Sequence, residues 1–333
     1  MDRTTAEKEW LRRISGGKSA VPQRKPTSDQ TSDQSSSKPR PKPQPTAKKH
    51  GNGFGDIAGM EDLKQRVKEG FINVLQHRDL ADAYGIRPPS MLFYGPAGCG
   101  KTFFAEKMAE EVGIHFIKVV PDDLASTMVH GTQEKIGEVF KNAERHAPAL
   151  LFFDEFDAMV PRRTGNEYNQ HYDSEVNEFL CMLNHASDKG VYVLAATNHP
   201  ECIDKAVLRT GRIDELVYVD MPDHEARKSL FALELAKLPR EEGIDMDRLA
   251  HLTQGYNCSD INYIVKSAAR KKFNEAIGCG EHTLQNITQK QLEEIISGRG
   301  PSVSSRDLRE YQRVHREFSP KNKGGQPASI GFW

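Results

Sequence analysis

The sequence predicts an α/β protein: a parallel β-sheet followed by a smaller helical domain. Five short, nearly all-apolar runs alternate with helical patterns, as in a parallel sheet that is covered on both faces. These runs are Met91–Tyr94, His115–Val120, Ala149–Phe153, Val191–Ala196 and Leu216–Val219. Beyond Pro222 the strand pattern stops, and helices are predicted at 224–237, 246–252, 259–277, 288–297 and Ser305–Phe318. Before the sheet, apolar residues at helical spacing predict a helix over Met60–Leu75.

A glycine-rich segment, Gly95–Thr102, joins the first predicted strand to a predicted helix. Its sequence GPAGCGKT fits the phosphate-binding pattern G-x-x-x-x-G-K-[ST] in the required strand–loop–helix context. Backbone N–H groups and the helix N-terminus would face a phosphate. Lys101 is predicted to reach the β- and γ-phosphates, and the Thr102 hydroxyl to ligate Mg²⁺. The alternative is an ordinary glycine-rich turn.

Polar residues follow two further predicted strands. Asp154 and Glu155 come directly after Ala149–Phe153, where Asp154 is predicted to hold Mg²⁺ and Glu155 to orient and polarise the attacking water. Asp157 is interpreted as structural. Asn198 follows the fourth strand, and its neutral amide suits a γ-phosphate or a water, although Asn is also an ordinary turn residue.

Two arginines, Arg209 and Arg212, lie on either side of a glycine in LRTGRIDE. From the local sequence alone, a solvent-facing basic loop is the favoured interpretation.

The formal net charge of −1 argues against a polyelectrolyte partner, so nucleic acid is not expected. Apolar runs of membrane-spanning length and a signal peptide are both absent from the sequence. The five cysteines show no C-x-x-C pair, which favours a reducing, cytoplasmic location.

Both ends of the chain differ in composition from the middle. Residues 1–15 predict a short amphipathic helix with Trp10 on its apolar face, either a docking peptide or a frayed terminus. Residues 16–53 are rich in Ser, Pro and Lys and predict a disordered linker. Residues 319–333 predict a flexible tail, in which Ile330–Trp333 is either a second docking peptide or an unconstrained end.

The motifs GPAGCGKT, LLFFDEFD, ATNHP and LRTGRIDE resemble, in order and spacing, the two Walker motifs, sensor 1 and the arginine fingers of AAA ATPases. The resemblance is to the branch that holds katanin, spastin and valosin-containing protein, and it spans about residues 54–318. Phe54–Gly59 resembles the family's adenine-contacting entry segment. Gly255–Ile261 resembles its lid motif, with Cys258 and Ser259 where Gly and Ala are usual.

This resemblance implies a P-loop NTPase fold, with a five-stranded sheet in the order 5-1-4-3-2 over residues 54–222. A helical lid and C-terminal helix would occupy 223–318. It also implies an ATPase that assembles into a ring, usually a hexamer. Such a ring unfolds, disassembles or remodels protein substrates, and in some members of the family it feeds them to a partner protease. Arg209 and Arg212 would then act on a neighbour's γ-phosphate, which reverses the local interpretation of the two arginines.

The resemblance also assigns site residues for ATP and Mg²⁺. The residues implied in catalysis are Glu155, Lys101, Asn198, Arg209 and Arg212, and those implied in metal binding are Thr102 and Asp154. The residues implied in nucleotide contact are Asp56, Ile57, Ala58, Pro96, Ala97, Gly98, Cys99, Gly100, Lys101, Thr102, Phe103, Asn198 and Ser259. Cys99, beside a helix N-terminus, is expected to have a lowered pKa and to be modifiable.

One departure from the family concerns the loop that lines the central pore of such rings. The corresponding residues Met128, Val129 and His130 lack the usual aromatic ring, which grips an extended substrate through its rigid contact area. Two functions of other classes also stay open. One is a regulatory switch that assembles on ATP binding without threading, and the other is a nucleic-acid remodeller supported only by the basic linker.

Overall fold

The computed structural model describes residues 51–125, 131–162, 179–184, 186–209, 211–278 and 284–318. Three groups of predictions fall on residues that lie outside this description: the docking helix 1–15 with most of the linker, the pore-loop residues Met128–His130, and the tail 319–333. They stay predictions.

In the described part of the chain, a five-stranded sheet forms the centre of the fold, and all of its strand pairs are parallel. Its order is β2-β3-β4-β1-β5, the order that the resemblance implies. Each predicted strand agrees with the observed one to within about one residue at either end. The strands are β1 (Met91–Tyr94), β2 (His115–Val119), β3 (Ala149–Phe153), β4 (Val191–Thr197) and β5 (Glu215–Tyr218).

Helices precede, connect and follow the strands, and those predicted beyond Pro222 are confirmed. Before β1 lie α1 (Glu61–Val67), a π-helical turn (Lys68–Ile72), α2 (Asn73–Gln76) and α3 (Arg78–Ala83). Between the strands lie α4 (Lys101–Val112), α5 (Pro121–Leu124), α6 (Gly131–Arg145) and α7 (Phe156–Met159). After β5 come α8 (His224–Ala236), α9 (Met246–Leu252), α10 (Cys258–Gly278), α11 (Gln289–Ser297) and α12 (Ser305–Phe318).

Alternate residues of the central strands point to opposite faces of the sheet, and each face has its own core. Leu151 and Phe153 of β3 pack in one cluster with α6, while Leu150 and Phe152 pack in the other with α4. A third cluster lies among α8 to α11, centred on residues such as Phe231. The outer strand β2 fits the nearly all-apolar prediction least well. Among the described residues it pairs only with β3, and it exposes both of its polar side chains.

Candidate nucleotide-binding site

The loop Gly95–Thr102 leaves the carboxyl end of β1 and enters α4. Gly95 has a φ of +143°, and a Cβ there would lie 2.2 Å from the Val219 carbonyl oxygen. Gly98 has a φ of +76°, and its Cβ would lie 2.5 Å from the Asn257 Nδ2 atom. Glycine is therefore required at both positions by backbone conformation and by space. The conformation of the loop therefore depends on these two glycines.

Lys101 begins α4 and is buried, with 8% of its surface exposed. Its ammonium group donates to the carbonyl oxygens of Gly95 and Pro96 at 2.9 Å each and to Asn198 Oδ1 at 2.7 Å. Burial lowers the pKa of Lys101 to about 8, while the nearby carboxylates of Asp154 and Asp157 act in the opposite direction. The structure thus brings together Lys101 and Asn198, two predicted site residues 97 positions apart.

Thr102 and Asp154 also meet, as the metal prediction requires. The Thr102 hydroxyl donates to Asp154 Oδ2 at 3.0 Å. A hydroxyl and a carboxylate side by side are hard oxygen ligands of the kind that Mg²⁺ prefers, so these residues fit the ion. A third group, which the sequence analysis did not single out, also lies here: Lys118 Nζ is 2.8 Å from the same Asp154 oxygen.

Glu155 follows Asp154 at the start of α7, and its side chain is exposed. Its φ of 52° is unusual for a residue other than glycine and is the kind of local strain that recurs at functional sites. Two residues on, Asp157 accepts a hydrogen bond from the Thr197 hydroxyl at the end of β4. Asp157 therefore ties α7 to the sheet, as its structural interpretation predicts, and leaves Glu155 as the acid that faces solvent.

Arg209 and Arg212 lie far from this cluster along the strands. The Asp214 N–H donates to the Ser90 carbonyl at 2.9 Å, which places the arginine segment beside the start of β1 and not beside its end. Arg212 is held there by a 2.8 Å hydrogen bond from Nη1 to the Ala206 carbonyl, and Arg209 is exposed. Among the described residues, no contact joins either arginine to Lys101, Thr102 or Glu155.

The predicted entry segment packs against α4. Asp56 Oδ2 lies 2.9 Å from Lys107 Nζ, and hydrogen bonding to Lys107 lowers the pKa of Asp56. Ile57 is buried, and the Phe54 ring contacts Phe104 of α4 with centroids 5.3 Å apart. The segment that contains the predicted contacts Asp56, Ile57 and Ala58 is thereby fixed beside the phosphate-loop helix.

The lid motif reaches the phosphate loop directly. Ser259 N–H donates to the Gly98 carbonyl at 3.1 Å, and Asn257 Nδ2 donates to the Ala97 carbonyl at 3.0 Å. Asn257 Nδ2 also donates to Ser302 Oγ at 3.0 Å, and Ser302 in turn donates to the buried Asp260 carboxylate at 2.9 Å. We call Asn257, Asp260 and Ser302 the lid joint. The role of the lid joint is not apparent from the local sequence, although Asn and Asp three apart at a helix start resemble a capping pair.

The expectation for Cys99 is wrong. Its side chain has no exposed surface, and burial raises its pKa to about 12. The helix N-terminus does not offset this because the thiol lies within the apolar cluster between the loop and the sheet and contacts Met221. Cys99 is thus a packing residue and a poor nucleophile.

The part of the chain that the structure describes contains no helix with the length and apolarity needed to cross a lipid bilayer.

Residues 91–221 match the family described as "ATPase family associated with various cellular activities (AAA)". The chain is 33% identical over 273 residues to the "Cell division cycle protein 48 homolog" of Archaeoglobus fulgidus, a match covering 79% of this chain and 37% of the relative. It is also 33% identical over 241 residues to a "Putative cell division cycle ATPase" of Plasmodium falciparum, covering 72% of this chain and 19% of that protein.

The matched region therefore spans well under half the length of both curated relatives. The similarity to each of them nevertheless extends over most of this chain. The AAA match covers four features described above: the phosphate loop, the acidic pair after β3, Asn198 and the arginine segment. On these grounds, together with the strand order of the sheet, the chain belongs to the AAA ATPase family.

Proposed function

We propose that this chain binds ATP with Mg²⁺ at Gly95–Thr102 and hydrolyses it. The observation that carries the proposal is the meeting of Lys101 with Asn198 and of Thr102 with Asp154 at one edge of the sheet. These side chains come from three separate segments that parallel strands bring to a common edge. A glycine-rich turn without function would not require an ammonium, a hydroxyl, a carboxylate and an amide at that edge.

Each residue has a role that follows from its chemistry. Lys101 exchanges its carbonyl partners for phosphate oxygens, and Asn198 then offers its amide to the γ-phosphate or to the attacking water. Glu155, exposed at the start of α7, orients that water and accepts its proton. Mg²⁺, held by Thr102 and Asp154, would neutralise charge that develops on the phosphates.

We further propose that the active site is completed by another subunit. About 10 Å of β1 separates the Ser90 region, beside which the arginine segment lies, from the phosphate loop. Arg209 and Arg212 are thus displaced from the chain's own phosphates along the strand direction. Arranged head to tail in a ring, the chain would present both arginines to the next subunit, where such groups contribute about 10³–10⁵ in rate in related systems.

Mixing two inactive variants tests the shared site. Glu155→Gln subunits keep the arginines and lose the base, whereas Arg209→Ala/Arg212→Ala subunits keep the base and lose the arginines. Each variant alone is expected to have under about 1% of wild-type ATPase activity, from the size of either contribution. An equal mixture regains activity, because some interfaces then combine an intact Glu155 with intact arginines.

The matched control is a mixture of Glu155→Gln with a second variant that also lacks the base, Glu155→Ala, which must stay inactive at every ratio. If the first mixture is equally inactive while mixed oligomers form, the arginines do not act across an interface. A fully active Arg209→Ala/Arg212→Ala variant would likewise contradict the proposal.

We propose that the ring, expected to be a hexamer, uses hydrolysis to unfold or remodel protein substrates. Support comes from the kinship with cell-division-cycle ATPases and from the protein-remodelling branch that the motifs resemble. The test is affinity capture with Glu155→Gln, which should hold substrate while ATP stays bound. Repeating the capture without residues 1–50, and then without 326–333, identifies the end that recruits the partner. Absence of any nucleotide-dependent protein in the trap would argue against remodelling.

An assembly switch without threading is the second candidate, and the non-aromatic Met128 and Val129 favour it. In that case Glu155→Gln, which binds ATP without hydrolysis, would support normal function in cells that contain no other copy.

We also propose that residues 54–222 and 223–318 form separate domains, since their buried clusters involve different helices. Cytoplasmic location and partner docking through 1–15 or Ile330–Trp333 stay predictions.

A further inference from the structure

Lys118 lies at the metal-binding edge of the sheet because of strand register. It pairs with Phe152 across β2 and β3, and Asp154 lies two residues beyond Phe152 on the same face. Period-two alternation therefore directs Lys118 and Asp154 to one side, the side on which α4 presents Thr102. The ammonium reaches Asp154 Oδ2 at 2.8 Å, the oxygen that also accepts from the Thr102 hydroxyl.

We propose that Lys118 is a positioning residue that competes with Mg²⁺ for Asp154 and so sets the Mg²⁺ concentration at which this chain holds ATP. The inference rests on the proposed ATP site and adds a built-in cation to it. A charged ammonium has donors only and cannot ligate a metal. Binding of Mg²⁺ in the Asp154 shell therefore requires that Lys118 release or share that carboxylate.

The ion pair between Lys118 and Asp154 is weak enough for Mg²⁺ to displace. Lys118 has 42% of its side chain exposed and Asp154 has 21%, so the pair is partly solvated and is screened by salt. Lysine is also strongly hydrated and flexible, so it can withdraw into solvent. A divalent ion near Lys118 meets repulsion as well as competition, and both effects raise the Mg²⁺ requirement.

The experiment measures ATP affinity as a function of free Mg²⁺, by calorimetry, in the Glu155→Gln background so that no turnover intervenes. Lys118→Met removes the charge and keeps the apolar stem length. We expect it to lower the half-saturating Mg²⁺ concentration by about threefold to tenfold, as loss of a partly exposed competitor of a divalent ion implies. Lys118→Arg keeps the charge and should stay within about twofold of the parent.

Lys189→Met is the matched control. Lys189 forms a similar partly exposed ion pair, 2.6 Å from Glu144, but it precedes β4 and lies at the opposite edge of the sheet from Asn198. The Lys189→Met substitution removes one positive charge, as Lys118→Met does, but leaves Asp154 and its contacts in place. The Mg²⁺ requirement should therefore not change. ATP affinity measured in a chelator, without Mg²⁺, should be equal in Lys118→Met and its parent.

An unchanged or increased Mg²⁺ requirement in Lys118→Met would overturn the inference. A loss of Mg²⁺-free ATP affinity in that variant would overturn it too, since Lys118 would then be a phosphate ligand. If the Glu155→Gln parent binds no ATP at any Mg²⁺ concentration, the proposed function itself fails, a result distinct from both. Equal shifts of the half-saturating Mg²⁺ concentration in Lys118→Met and Lys189→Met would also reject the inference, because the effect would then arise from the net charge of the protein.

Discussion

Among the residues of the candidate site, Lys101 combines the features of a structural and a functional lysine. Three oxygens satisfy its ammonium group, yet burial holds its pKa at about 8, below the ordinary 10.5. A folded-state pKa below the unfolded one means that the unfolded chain binds more protons between these values. The contribution of Lys101 to the free energy of unfolding therefore rises with pH between about pH 8 and pH 10.5. Below about pH 8 the contribution stays at its lowest value.

The same shift predicts proton uptake when ATP binds. Phosphate oxygens favour the charged ammonium and raise the pKa of Lys101, so at pH 8.5 binding should draw a fraction of a proton from the buffer. Calorimetric titrations in buffers of different ionisation enthalpy measure this uptake directly. At pH 6.5 Lys101 is already charged, and the uptake due to it should vanish. Heats that do not depend on the buffer at pH 8.5 would show that Lys101 is charged throughout.

The lid joint connects three parts of the chain. Asn257 precedes α10 and binds the phosphate loop, Asp260 is buried, and Ser302 leads into α12. Arg299 adds a 3.2 Å contact to Asp260 and stacks on the Tyr263 ring, with 4.1 Å between the guanidinium carbon and the ring centroid. Because these are buried or partly buried polar contacts, loss of one leaves others unsatisfied.

A double substitution tests how tightly the loop and the lid are joined. Gly98→Ala places a methyl group 2.5 Å from Asn257 Nδ2 at a φ of +76° and should lower nucleotide-free stability by about 2–4 kcal/mol. In an Asn257→Ala background only the backbone strain remains, and the same change should cost about 1–2 kcal/mol. Urea unfolding of the four proteins of the cycle gives the difference. Equal costs in both backgrounds would mean that the lid yields freely.

The C-terminal helix α12 has its own attachment to the sheet. His315 Nδ1 lies 2.8 Å from the Tyr94 hydroxyl, and the His315 ring stacks on Tyr218 with centroids 4.2 Å apart. Burial lowers the pKa of His315 below the ordinary 6.5, and the charge of Asp220 opposes this in part. The docked helix thus favours the neutral imidazole. The stability that this preference contributes to the docked helix is fully present above about pH 6.5. It is lost as the pH falls toward the folded-state pKa of His315.

Hydrogen exchange over residues 305–318 should therefore be faster at pH 5.5 than at pH 7.5, after correction for the intrinsic rate. The increase should disappear in His315→Phe, which keeps an aromatic ring against Tyr218 and does not titrate. Were the pH effect to persist in that variant, another group would have to be responsible.

Much of the fold is predictable from local patterns. Runs such as Ala149–Phe153 are short, apolar at every position and set between helical patterns, which favours a strand buried on both faces. Residues 259–277 carry a helical pattern that the structure confirms. The phosphate loop is equally plain, because Gly, Lys and Thr stand at fixed positions. The strand order, by contrast, came from the family resemblance, since five alternating units allow several orders.

The remainder depended on distant neighbours that no local pattern contains. The contact of Lys118 with Asp154 follows from the register of β2 on β3, which the sequence of β2 does not specify. Asn257 belongs to a recognisable motif, but its hydrogen bond to the Ala97 carbonyl spans 160 positions. The Cys99 prediction failed because a helix N-terminus lowers a thiol pKa, whereas complete burial raises it by more.

In the complete fold, the parallel sheet holds the Lys101 cluster and the arginine segment apart. Parallel strands gather the groups that follow them at one edge, so the Lys101 cluster forms within one chain. The segment with Arg209 and Arg212 crosses back toward the start of β5 and lies near the other edge, beside Ser90. Within a single subunit, the Lys101 cluster thus lies apart from Arg209 and Arg212, and under the proposed function a neighbouring subunit supplies the arginines.

This separation predicts that ATPase activity per subunit rises with protein concentration. Below the concentration at which rings form, each site lacks the arginine contribution of about 10³–10⁵, so specific activity should be near zero. It should increase as subunits associate and level off when assembly is complete, in step with mass measured by light scattering. Arg209→Ala/Arg212→Ala should assemble over the same range with activity that stays low throughout, which separates the arginine contribution from assembly itself. A specific activity independent of concentration across the range where the mass changes would mean that each subunit carries a complete site, and that Arg209 and Arg212 have another role.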